Sequence, residues 1–222
     1  MCPTIQQIRC EVYASMNGVV SDSMQEKGMN YRLNYGVDIP KLRIIARKYK
    51  ADKALAEILW TEDVRELKIL ATMLYPPTDF TKETAEKWVH EIPTQEIREQ
   101  MCRNLLQTLS FSDALVQEWA ESEDTEIRIT GYWLFARLCI LRSSTIEKIN
   151  PATVIENAIN DLNTASMLLR QAALNVLRYF GRLSKKNGMD ILQKIAVFEK
   201  SENSQEREMF DILIFEFEPP TP

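Results

Sequence analysis

The chain has 222 residues, 45% of them hydrophobic, and its 27 basic and 32 acidic side chains give a formal net charge of -5. This composition excludes a disordered chain, and at such a length roughly 70% of the unfolded surface can be buried, so neither disulfides nor metals are required to hold a core. The N-terminal MCPTIQQIRCEVY has no basic segment leading an apolar run, and the longest apolar stretch, GYWLFARLCIL, is short and broken by Arg137; neither a leader nor a membrane span is expected, and a cytoplasmic location is.

Nearly every segment reads as helix. Asp38 with Pro40 marks the first clear helix start, and Thr81 with Glu83 the next after the connector YPPTD. Pro93 with Thr94 opens a segment in which Ile97, Met101, Cys102, Leu105, Leu106 and Leu109 share one stripe of a 3.6-residue period. Ser112 with Asp113 and Pro151 with Thr153 start later helices. Between these two starts, Arg128 to Arg142 is apolar almost all round, as expected for a helix covered on both sides. KKNG reads as a further connector, FDILIFEFE as the end of a capping helix, and residues 219–222 as a frayed tail after a single domain spanning 1–218. About eleven or twelve helices result, with no strand-like alternation.

The helices repeat. EDVRELKILATML, TQEIREQMCRNLL, DTEIRITGYWLFARL, SMLLRQAALNVLRYF and SQEREMFDILIFEF each place an arginine before a long apolar run, at Arg65, Arg98, Arg128, Arg170 and Arg207. A loose period of two helices predicts an all-α fold, a right-handed superhelix of antiparallel helix pairs of the HEAT or armadillo kind.

Most catalytic chemistry lacks its residues. Cys2, Cys10, Cys102 and Cys139 fit no zinc spacing, and His90 is the only histidine, with no nucleophile or orienting carboxylate placed by the sequence. No glycine-rich phosphate loop and no HExxH occur. Reduced structural thiols, no metal and no cofactor are expected, and Trp60, Trp88, Trp119 and Trp133 read as core aromatics.

Charge is segregated. Lys27 to Lys50 carries seven bases against Asp38 alone, and Asn163 to Met189 carries Arg170, Arg178, Arg182, Lys185 and Lys186 with no acid. Ala51 to Glu126 holds 17 acids and 7 bases. On one continuous helix, Arg170, Gln171, Asn175, Arg178, Arg182 and Lys186 would share an open face opposite the core. The alternatives are a solvated surface and a polyanion such as nucleic acid on a basic concave face.

NYGVDIPKLRIIARK, LAEILWTEDVRELKILATML, TAEKWVHEIPTQEIREQMCRNLL and LVQEWAESEDTEIRI resemble, in that order, the DNA alkylation repair family of HEAT-like-repeat alkylpurine DNA glycosylases. The resemblance implies a metal-free helical cradle whose concave face grips duplex DNA by its backbone and excises cationic N3- or N7-alkylated purines. There a carboxylate stabilises developing charge on the sugar. The family's tryptophan and aspartate positions fall on Gln95 and Glu99, its arginine on Ile129 or Arg128, and a second aromatic on Asn175.

These departures imply a monomeric, double-stranded-DNA-binding member with excision weak or lost. Arg178, Arg182, Lys185 and Lys186 are the first candidates for phosphate contact, then Arg170, with Lys41 and Arg43 as a second region and Gln95 and Asn175 as polar contacts. Two alternatives remain open: an active alkylpurine glycosylase using Glu99 and Arg128 as catalytic residues, and a HEAT scaffold that binds an acidic protein.

Overall fold

The computed structural model describes residues 3–29 and 31–217, so the tail expected at 219–222 lies outside the described residues. Among the described residues there are thirteen α-helices and no strand, one or two helices more than the sequence pattern predicts. The chain forms two compact units, Met1–Leu109 and Ser110–Pro222.

The first unit holds α1 (Pro3–Ala14), α2 (Gly18–Glu26), α3 (Ile39–Ala46), α4 (Lys53–Thr61), α5 (Arg65–Leu74), α6 (Lys82–His90) and α7 (Gln95–Asn104). Helix starts follow the capping residues. Asp38, Asp52, Thr81 and Thr94 each accept a backbone N–H of the turn they precede. α4 pairs with α5, and α5 also packs on α3 and α7. Its core is aromatic at one end, where Trp60 and Trp88 stack at 4.1 Å between centroids and Tyr75 and Phe80 meet Trp88 edge-on.

Residues 31–38 carry no helix but are pinned at several points. Arg65 N–H bonds Leu33 O, Asn17 N–H bonds Tyr35 O, and the Ser21 hydroxyl bonds Asn34 O. At Gly36, φ is +68° and a side chain would run into the backbone of Asn17 and Ser21, so only glycine serves.

The second unit contains α8 (Ser112–Trp119), α9 (Thr125–Leu141), α10 (Pro151–Asp161), α11 (Met167–Gly181), α12 (Lys185–Lys194) and α13 (Ser204–Phe217). α9 lies against α8 and α11, α11 against α10, α12 and α13. Residues from Ile129 to Cys139 bury nearly all round, as the sequence predicts, but Ile140 and Leu141 emerge at the helix end.

KKNG is not a connector. The Ser184 hydroxyl accepts Asn187 N–H, so Lys185, Lys186, Asn187 and Gly188 form the first turn of α12. YPPTD does break the chain, with Pro77–Asp79 closing one 3-10 turn.

Candidate nucleic-acid interface

The repeat arginines are structural before they are anything else. Counted from the helix caps, Arg98, Arg128 and Arg170 each stand four residues after Thr94, Asp124 and Ser166. Arg128 Nε donates to Ser122 O at 2.7 Å, Arg170 Nη1 to Thr164 O at 2.6 Å, and Arg207 to Ser201 O. Each guanidinium thus ties the preceding connector to the helix that follows it. In α5 the equivalent residue, four after the cap Val64, is Lys68, whose Nζ donates to Trp60 O at 2.6 Å. Arg65, which the sequence aligns with the others, opens α5 and does something different.

Arg65 is 1% exposed and grips Glu96 with two bonds, Nη2 to Oε1 at 2.6 Å and Nε to Oε2 at 2.8 Å. Its Nη1 reaches Val37 O and Glu66 Oε1, while Glu66 accepts the N–H groups of Tyr35 and Val37. The Tyr31 hydroxyl donates to Glu96 at 2.7 Å. Burial alone would raise the Glu96 carboxyl, but the Arg65 and Tyr31 bonds outweigh it and hold it below the usual carboxylate range. This closed network positions the first turn of α7.

Gln95 opens that turn, and Glu99 follows one turn later on the same side. Arg98 Nη1 donates to Gln95 Oε1 at 2.6 Å, and Gln95 Nε2 donates to Glu99 Oε1 at 3.1 Å. Glu99 is half-buried; burial pushes its carboxyl upward, nearby Glu96 adds to the rise, and the Gln95 bond offsets part of it. In the excision chemistry that the resemblance implies, an ionised carboxylate at Glu99 would face the sugar beside an aromatic wall at position 95. Here the wall is an amide, and that amide uses one carboxylate oxygen.

The other positions to which the resemblance assigns excision are also buried or bonded within the protein. Ile129 is 0% exposed. Arg128 Nη1 holds Asp161 at 3.0 Å, and Asp161 also accepts the Tyr132 hydroxyl at 2.6 Å. Asn175, expected on an open face, is 6% exposed and sits in the buried side of α11. The helix carries its arc of bases only as far as Arg182, because the chain turns at Ser184 and begins a new axis.

Cations nonetheless gather at that turn. Lys185 and Lys186 are exposed and form no ion pair or hydrogen bond among the described residues. Arg178 and Arg182 share one carboxylate, Glu216 of α13. The Arg170 guanidinium donates to the carbonyls of Thr164 and Ala165 and has no ion pair among the described residues. A fifth base at the turn, Arg142, escaped the sequence pattern because it follows α9. It caps that helix at φ 49°, and its guanidinium donates to Arg182 O and Leu183 O at 3.4 Å. Its left-handed backbone aims it at the end of α11, a placement that charge counting along one segment does not reveal.

In the first unit, Lys41, Arg43, Arg47 and Lys50 have no ion pair among the described residues, whereas Lys48 is bound by Glu11 at 2.6 Å. Arg43 and Arg47 border an open depression of about 330 Å³ with Tyr49 and Met73.

Of the other candidate groups, His90 is exposed at the end of α6, and Cys102 and Cys139 are buried thiols; burial pushes Cys139 up to about 12. No cluster of metal-ligating side chains and no helix able to cross a membrane occurs among the described residues. Trp60, Trp88 and Trp119 are core residues, and Trp133 is half-buried.

A family model described as DNA alkylation repair enzyme matches residues 13–203. No curated protein matches the chain. A solved structure superposes with a TM-score of 0.74 at 13% identity, covering 94% of this chain and 93% of the other. That structure belongs to proteins described as a new family related to the HEAT-like repeat DNA glycosylases, with affinity for branched DNA structures.

Proposed function

The chain belongs to the DNA alkylation repair enzyme family, and from that premise we propose that it is a monomeric, cytoplasmic DNA-binding protein that holds duplex DNA by its sugar-phosphate backbone and has weak or lost base excision. The observation that carries this reading is the basic turn between α11 and α12. Arg142, Arg178, Arg182, Lys185 and Lys186 stand together there, and Glu216 is the one carboxylate that pairs with any of them among the described residues. Such a surplus attracts phosphate and releases its counterions. Lys41, Arg43 and Arg47 give the first unit a separate basic surface of the same character.

The reading of excision as weak rests on Gln95, Glu99 and Arg128. All three are engaged with protein partners, and a glutamine, Gln95, stands at the position on which the resemblance puts an aromatic. The structural relative's affinity for branched DNA makes a four-way junction the natural comparison substrate. Binding of linear duplex and junction, measured across a salt series, tests the proposal together with release of 7-methylguanine from methylated duplex. Nanomolar-to-micromolar binding with a steep salt dependence and no release above background is expected. Release that Glu99→Gln abolishes would replace it with the excision reading.

A further inference from the structure

The end of α13 is seated with unusual closeness on the basic face of α11. Phe217 packs directly against Gly181 of α11 and Gly188 of α12: a side chain at Gly181 would overlap its ring, and one at Gly188 would stand 3.1 Å from it. With Phe217 fixed in this notch, the neighbouring Glu216 carboxylate is set between Arg178 and Arg182. Oε2 accepts from Arg178 Nε at 3.3 Å and Nη2 at 3.1 Å, and Oε1 accepts from Arg182 Nε. The three side chains differ in access: that of Arg182 is 47% exposed, that of Arg178 29% and that of Glu216 13%.

Two guanidiniums one helical turn apart, with a single carboxylate seated between them, form the fork that a phosphodiester would occupy. Among the described residues Arg182 Nη1 and Nη2 and Arg178 Nη1 make no hydrogen bond, and the Arg182 guanidinium lies 5.3 Å from the Tyr179 ring centroid, held at the surface. We propose that Arg178 and Arg182 form a phosphodiester-binding site whose resident anion in the free protein is Glu216, so that a DNA phosphate must compete with this carboxylate for the two arginines. This rests on the DNA-binding reading and adds to it a named site and an internal competitor. The exchange needs only side-chain rotation, because the Phe217 notch anchors α13 independently of the ion pairs.

The competitor is tested by neutralising it. Glu216→Gln keeps the side-chain length and should tighten duplex binding about 3- to 10-fold near 0.1 M salt, and steepen the plot of log K against log salt by up to about one unit. Glu216→Asp, which keeps the charge, should stay within about twofold of wild type. Adding Arg178→Ala and Arg182→Ala to the Glu216→Gln protein should erase the gain, with circular dichroism melts confirming that each variant is folded. Wild-type binding that Glu216→Gln leaves unchanged, or a gain that survives loss of both arginines, overturns this inference alone. Failure of wild type and Glu216→Gln alike to bind DNA overturns the function reading and the inference with it.

Discussion

Gln95 donates its amide to Glu99 across 3.1 Å, one helical turn along α7, and receives the guanidinium of Arg98 on its other end. Gln95 and Glu99, on which the resemblance puts an aromatic and a carboxylate, thereby form an internal polar relay. It spans the start of α7 and engages one of the two Glu99 carboxylate oxygens.

Burial, the first cause, keeps Glu99 above its ordinary pKa even though the Gln95 bond of the relay pulls it down. A carboxyl raised in the folded state favours folding in its neutral form, so ionised Glu99 destabilises the protein at neutral pH. Glu99→Gln should therefore raise Tm at pH 7 by about one to a few degrees. The difference should vanish as pH falls through the raised value, which thermal melts at several pH values would show.

Arg65 and Glu96 carry the opposite sign. The lowered carboxyl of Glu96 means that the pair's contribution is fully present above the ordinary glutamate range of about 4.3, and is lost as pH falls through the folded value. Arg65→Ala leaves Glu66 and Glu96 without their guanidinium and should cost about 3 to 5 kcal/mol in a urea titration. The stability gap between wild type and Glu96→Gln should narrow with acidification over the same window.

Glycine inside a helix ordinarily weakens it, and Gly→Ala at an exposed helical site gains up to about 1 kcal/mol. At Gly181 the sign should reverse, because the added methyl overlaps the Phe217 ring. Gly181→Ala should lower Tm, and combining it with Phe217→Ala should recover part of the loss, a non-additivity that a double-mutant cycle measures.

Arg142 separates binding from folding. Its φ of 49° is a conformation in which glycine is at least as comfortable, so Arg142→Gly should keep or slightly raise stability while removing one cation from the α11–α12 turn. DNA affinity should fall, with a salt slope shallower by about one unit.

The all-helical repeat was legible because its signals are local. Asp38, Thr81, Thr94 and Pro151 sit where capping chemistry puts them, and the stripe from Ile97 to Leu106 is buried. KKNG misled because a serine cap two residues after Arg182 outweighs the turn character of asparagine and glycine. The candidate site was less legible because its partners come from far along the chain. Glu216 reaches Arg178 across 38 positions and Asp161 reaches Arg128 across 33, and no periodicity reports such encounters. Helical geometry alone places Asn175 on the open face, whereas it is 6% exposed in a helix packed against α9, α10, α12 and α13. The alignment of Arg65 with the other repeat arginines failed by one turn, since in that repeat Lys68 takes a carbonyl at the end of the preceding helix, that of Trp60.

The most direct test is the salt dependence of duplex binding for a protein carrying Arg142→Ala, Lys185→Ala and Lys186→Ala, compared with wild type. A backbone-gripping turn predicts affinity lower by at least tenfold and a slope reduced by about two to three units, one for each phosphate contact removed. An unchanged slope and affinity would contradict the assignment of this surface to nucleic acid.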